Sequence, residues 1–172
     1  MQRAVLAVLE DLTGAVLPED CRAIDGCSVP TWAMPLQNLA GAFAKFGTGR
    51  GLGSERARAA ARLRAACAQK PWYVAGTDRF CTEIMRLLGP RALVKTGAEG
   101  VFCGALPQQG LGIAIKCDDG AGRAAEAIMA ALIARFLPLV DQEGAALARF
   151  AWPTLRNWND MKVGEVRVTE AI

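Results

Sequence analysis

The chain has 172 residues, 52% hydrophobic and 22% charged, a composition that suits about one soluble domain with a core of its own. Its 20 basic and 17 acidic residues leave a net charge of +3, too balanced to point to nucleic acid; the one basic cluster, Arg56, Arg58, Arg62 and Arg64, lacks interleaved aromatics and reads as the solvated face of a helix. Histidine is absent, which removes Ser-His-Asp and Cys-His catalysis and His-ligated zinc, and leaves acid–base work to Lys, Asp, Glu, Tyr or Cys.

In chain order, residues 1–13 have the spacing of an amphipathic helix, with Val5, Leu6, Val8, Leu9 and Leu12 expected in one buried stripe and Gly14 closing it. Pro18-Glu19-Asp20 marks a turn, and 21–25 suits a short strand leading into Asp25-Gly26-Cys27-Ser28. Helical spacing resumes at Leu36. The glycine-rich stretch 47–53 (GTGRGLG) lacks the G-K-[ST] of a phosphate loop and is expected to be a flexible connector. Ser54 is the expected N-cap of an Ala/Arg helix running to about Gln69. Pro71 breaks that pattern, and a further helix is expected from Arg79 to Leu88.

The character then changes. Residues 91–95, 100–106 and 111–117 are short β-rich runs between glycine-containing turns, the pattern of an antiparallel meander. Asp118-Asp119-Gly120 reads as a turn with a helix cap rather than a metal loop, and it precedes a long apolar helix, a shorter one near 141–150 and a closing strand over 163–169. Segregated helices and strands of this kind predict an α+β fold with an antiparallel sheet flanked by helices. No run of about 18 apolar residues occurs, and acids are frequent before residue 30, so neither a membrane span nor a signal peptide is expected. Six cysteines without C-x-x-C pairs are expected to be reduced thiols in a cytoplasmic protein.

Four motifs appear in order: Ile24-Asp25-Gly26-Cys27-Ser28-Val29-Pro30, then Val74-Ala75-Gly76-Thr77-Asp78-Arg79-Phe80-Cys81-Thr82, then Val94-Lys95-Thr96-Gly97-Ala98-Glu99-Gly100, then 112–120 (GIAIKCDDG). Together they resemble the asparaginase II family of rhizobial type, which shares its fold with serine β-lactamases and glutaminases. The resemblance runs over essentially the whole chain. It implies hydrolysis of L-asparagine to L-aspartate and ammonia at a site built from Ser–Lys pairs beside a zinc position. On this chain it implies Lys95 as the lysine of K-x-G, Asp25 near the substrate's polar end, Cys27 sharing in zinc binding, and Cys81 close to the site; Thr96 and Gly97 complete the motif.

The resemblance also implies an S-x-x-K motif, a second serine and a Cys-Ser-Gly-Lys segment that this sequence does not contain. Its only serines are Ser28 and Ser54, with Thr31 and Ala57 three residues on. Residues 1–172 are therefore expected to be the C-terminal portion of a single asparaginase domain, inactive alone and with an incomplete fold. The expected partners are L-asparagine and either a second copy or the missing half, with no nucleic acid and no membrane. Zinc is implied for the intact family enzyme but not expected to bind tightly here, because one thiolate and no histidine fall short of a ligand set. The alternative is a non-catalytic paralogue that associates with a full-length subunit.

On its own terms, Lys95 can act as a base near pH 7 only where burial or a neighbouring cation lowers its pKa. Flanking Leu93 and Val94 suit burial, whereas a strand-end position would turn it to solvent. Asp25 and Cys27 equally suit a capping acid and a packed thiol. Cys27, Thr77 and Thr96 remain substitute nucleophiles.

Overall fold

A computed structural model describes residues 1–172. The expected meander forms: β3 (Leu93–Thr96), β4 (Val101–Leu106) and β5 (Leu111–Lys116) make a three-stranded antiparallel sheet in that order. Its register sets four rows of neighbours, Leu93–Ala105–Gly112, Val94–Gly104–Ile113, Lys95–Cys103–Ala114 and Thr96–Phe102–Ile115. Successive rows face opposite sides.

One side holds the core. Val94, Phe102, Ile113 and Ile115 are buried there against Phe80, Ile84, Met85 and Leu88 of α5 (Phe80–Leu88), Met129 and Ile133 of α6 (Gly122–Phe136) and Leu147 of α7 (Asp141–Ala151). Phe80 meets Phe102 and Phe150 edge-on, with ring centroids 5.3 and 5.1 Å apart. Glu143 ties α7 to the turn after α5 through an ion pair with Arg91, and accepts a 3.2 Å hydrogen bond from the Val140 N–H, the half of a capping box that a valine permits.

The other side is covered by α2 (Leu36–Thr48), which approaches through small residues. A Cβ on Gly112 would lie 1.9 Å from the Ala40 carbonyl oxygen, and one on Gly47 would lie 2.8 Å from the Ala105 Cβ. Gly47 is therefore a packing residue inside the helix, not part of the expected connector, which begins only at Gly49 with φ 77°. Ser54 is likewise the first residue of α3 (Ser54–Gln69) rather than its cap; extended Gly53 holds that place and no side chain caps the helix.

Two further expectations change. The closing run forms only β7 (Lys162–Glu165), which pairs with β6 (Thr154–Arg156) in a hairpin of its own and does not join the central sheet. Likewise β1 (Arg22–Ile24) pairs with β2 (Pro30–Trp32), so β3 and β5 both keep an open edge. In α1 (Gln2–Thr13) only Thr13 is buried, and Val5 and Val8 stay 42% and 36% exposed, because the apolar arc is wider than α2 alone can cover. Between α3 and α5 lies the single turn α4 (Trp72–Ala75). No helix is long and apolar enough to cross a membrane.

Candidate functional site

The K-T-G motif lies at the end of the edge strand β3. Gly97 donates its N–H to the Val101 carbonyl at 2.8 Å, closing the turn into β4, and a Cβ there would press within 3.1 Å of the Val101 Cβ. Gly100 at φ 68° packs against Cys117 and Gly120, and the Cys117 N–H donates to its carbonyl at 3.0 Å. Lys116 clamps the same corner, its ammonium donating to the carbonyls of Glu99 at 2.5 Å and Cys117 at 2.8 Å. The β3–β4 turn and the turn into α6 thus form one braced rim beside Thr96 and Gly97.

Lys95 points to the α2 side in the same row as Cys103 and is solvent-exposed, its ammonium donating to the Thr96 carbonyl at 2.6 Å. These residues therefore do not supply the burial expected from its apolar neighbours. Lys95 also stands at the mouth of a cavity of about 310 Å³ between β3, α1 and α2, whose walls include Leu9, Leu39, Phe43 and Phe46. Those walls are almost wholly apolar, which does not suit a small zwitterionic amino acid.

On the core side, Cys81 is buried near the start of α5 with its sulfur against the Thr96 backbone. Burial pushes its thiol up, with Thr96, Lys95 and Arg79 pulling the other way. Cys103 is pushed up by burial to about 11, opposed only by Lys95. Glu126 on α6 is raised by burial and drawn down by Arg79. Two of the thiols nearest Lys95 are thus protonated near neutral pH and are poor nucleophiles. Cys103 and Glu126 lie outside the four motifs, and Arg79 lies inside one that gives it no role: Cys103 joins Lys95 only through strand register, whereas Arg79 acts on Glu126 through its charge.

A raised thiol pKa means that the fold binds the proton more tightly than the unfolded chain does. Its stabilising contribution is complete below 9.0 and is lost as pH rises through about 11. Urea unfolding across that interval is expected to show roughly 2 kcal/mol of extra loss in the unmodified chain relative to Cys103→Ala. Parallel pH profiles would disprove this role.

Asp25 and Cys27 sit together on the exposed β1–β2 turn. The Cys27 N–H donates to Asp25 Oδ2 at 3.4 Å, and the Cys27 thiol is the first of the donors that hold the Asp25 carboxyl below its ordinary range. Ser28 follows with φ 67°. Neither residue hydrogen-bonds to the Lys95 rim. Nowhere do three Cys, Asp or Glu side chains converge on a common point. The donors on this chain do not fit zinc, which takes four ligands including at least three from protein.

A family model described as L-asparaginase II matches residues 1–168. The chain belongs to the L-asparaginase II family. No curated protein matches it. The matched span includes the hairpin bearing Asp25 and Cys27, helix α5 with Cys81, and the Lys95 rim. At that level the chain is of the asparaginase type, an amidohydrolase family.

Proposed function

We propose that this chain is the lysine-bearing portion of an enzyme that hydrolyses L-asparagine to L-aspartate and ammonia. The observation that carries the reading is the family match over residues 1–168 together with a K-T-G rim at an open strand edge, where small Thr96 and Gly97 leave the backbone approachable. In the reaction a hydroxyl oxygen attacks the side-chain carbonyl, the C–N bond breaks and ammonia leaves; water then releases aspartate and regenerates the hydroxyl. Lys95 in its neutral form takes the hydroxyl proton on attack and returns one to the leaving nitrogen.

The hydroxyl is proposed to come from another polypeptide segment that carries S-x-x-K. Ser28 and Ser54 are both exposed, and neither hydrogen-bonds to Lys95. That segment, by covering the β3 edge, would also supply the burial that the exposed Lys95 lacks. Thr96 is a weak substitute, because its Oγ1 donates to the Gly97 carbonyl at 3.4 Å and lies on the opposite face from the Lys95 side chain. Thr77 is occupied as acceptor of the Trp72 indole N–H at 2.8 Å.

The test is ammonia release from L-asparagine by the purified chain, alone and with an S-x-x-K-bearing segment of the family supplied. Release only in the second mixture is expected. Turnover by the chain alone would overturn the external nucleophile, and silence in both would favour the second reading, a non-catalytic partner of a full-length subunit. The exposure of Lys95 is the observation on that side.

A further inference from the structure

Besides its side-chain amide, L-asparagine carries a carboxylate and an ammonium on one carbon, and a selective site has to meet both charges. Asp25 stands on the separate β1–β2 turn without a bond to the Lys95 rim. Nearer the rim, Arg79 and Glu126 form no ion pair. Both act on Cys81, whose buried sulfur rests against the Thr96 backbone and also feels the charge of Lys95. Glu126 is half-buried on α6 between the buried Ala125 and Ala127, and Arg79 is the one charge that acts on its carboxyl. A half-buried carboxylate without a partner costs stability, so its retention needs a reason outside folding. The loop that presents Arg79 has the same character. Gly76, at φ 93° and ψ -170°, occupies backbone open to little but glycine, and Asp78 stands at φ 55°. That loop is pinned by the buried Thr82 hydroxyl, which donates to the Gly76 carbonyl at 2.6 Å, and by the Trp72 indole N–H, which donates to Thr77 at 2.8 Å. The Arg79 carbonyl accepts the Glu83 N–H at 3.0 Å, so the arginine opens α5 two residues before Cys81.

We propose that Arg79 and Glu126 bind the head of the substrate, the guanidinium taking the α-carboxylate and the Glu126 carboxylate taking the α-ammonium of an L-amino acid. This rests on the asparaginase reading for the reaction and adds the groups that select its substrate. A guanidinium presents two parallel N–H groups to a carboxylate, and a carboxylate accepts hydrogen bonds from an ammonium. The two side chains influence each other yet stand too far apart to pair, so a ligand with adjacent opposite charges completes both contacts at once. Binding the head there leaves the side-chain amide for the rim, since Cys81, the thiol on which both charges act, abuts Thr96. The apolar cavity on the α2 side is no competitor, because its walls hold no acid to meet an ammonium.

The test compares kcat/KM for ammonia release from related amides by the chain with its S-x-x-K-bearing segment supplied. L-Asparagine has both head charges, succinamic acid lacks only the ammonium, and 3-aminopropanamide lacks only the carboxylate. Glu126→Gln is expected to lower kcat/KM for asparagine by about ten- to a hundredfold and to leave succinamic acid unchanged. Arg79→Gln is expected to do the same to asparagine and to leave 3-aminopropanamide unchanged. A structural defect would lower all these rates together; that outcome, or an unaltered rate on asparagine, overturns the proposal. Calorimetric titration of the same compounds into the chain alone, at millimolar concentration, reads the pattern without turnover, since both side chains belong to this chain. The selective losses in binding, with no ammonia released by any mixture, would keep the head site and retire the hydrolytic reading. Ammonia release that ignores both variants would do the reverse.

Discussion

Gly112→Ala is expected to destabilise the chain by at least about 3 kcal/mol, enough to leave much of it unfolded. The added methyl would stand 1.9 Å from the Ala40 carbonyl oxygen and 2.4 Å from the Ala44 nitrogen. Both are backbone atoms of α2, so no rotamer change relieves the clash, and the helix must retreat by more than about 1 Å to reach ordinary contact distance. Retreat would open the whole α2–β5 interface, including the approach of Gly47 to Ala105. The control lies in the same helix. Gly41 is exposed with nothing within 4 Å of a would-be Cβ, so Gly41→Ala is expected to stabilise by about 0.5–1 kcal/mol through helix propensity. Urea midpoints of the two variants should move in opposite directions; equal shifts would mean that α2 does not seat on β5 as described.

That contact also shows where sequence reading stops. The meander was legible because β3, β4 and β5 are short apolar runs bounded by turn glycines, and their order follows from the turns alone. Gly47 reads as linker because four glycines within seven residues look soft, yet the residue it packs against, Ala105 of β4, is far off in sequence. The alternation over 163–169 suited a half-buried strand, but Val163 is 63% exposed in a hairpin that leans on no core. Pro30, at a hairpin end where no ladder donor is needed, hid the partner strand β2. Lys95, Thr96, Gly97, Asp25, Cys27 and Cys81 stand out in the sequence by motif alone. Their distribution between a braced rim and a separate hairpin turn does not, because pattern fixes residue type and order but not which loops converge.

Lys95→Ala is expected to lower kcat of the assembled enzyme, with its S-x-x-K-bearing segment supplied, by about a hundredfold to ten-thousandfold while KM changes little. The protonation state of the lysine, rather than its charge, is what proton transfer requires. A lysine that takes a proton must spend time neutral, so Lys95→Arg, which keeps a cation that never deprotonates, should be almost as damaging as the alanine. A lysine that merely anchored substrate through its charge would tolerate arginine far better, and kcat/KM in the arginine variant separates the two roles. Stability should hardly move in either variant, since Lys95 is exposed and its one hydrogen bond is to the neighbouring Thr96 carbonyl. The thiols opposite should respond instead. Lys95 is the only charge opposing the upward push of burial on Cys103, so its removal is expected to raise that thiol further. Reaction of Cys103 with a small alkylating agent at alkaline pH reads that shift without any turnover. Slower labelling in Lys95→Ala with retained ammonia release would leave Lys95 as a neighbour of the thiols and not a base.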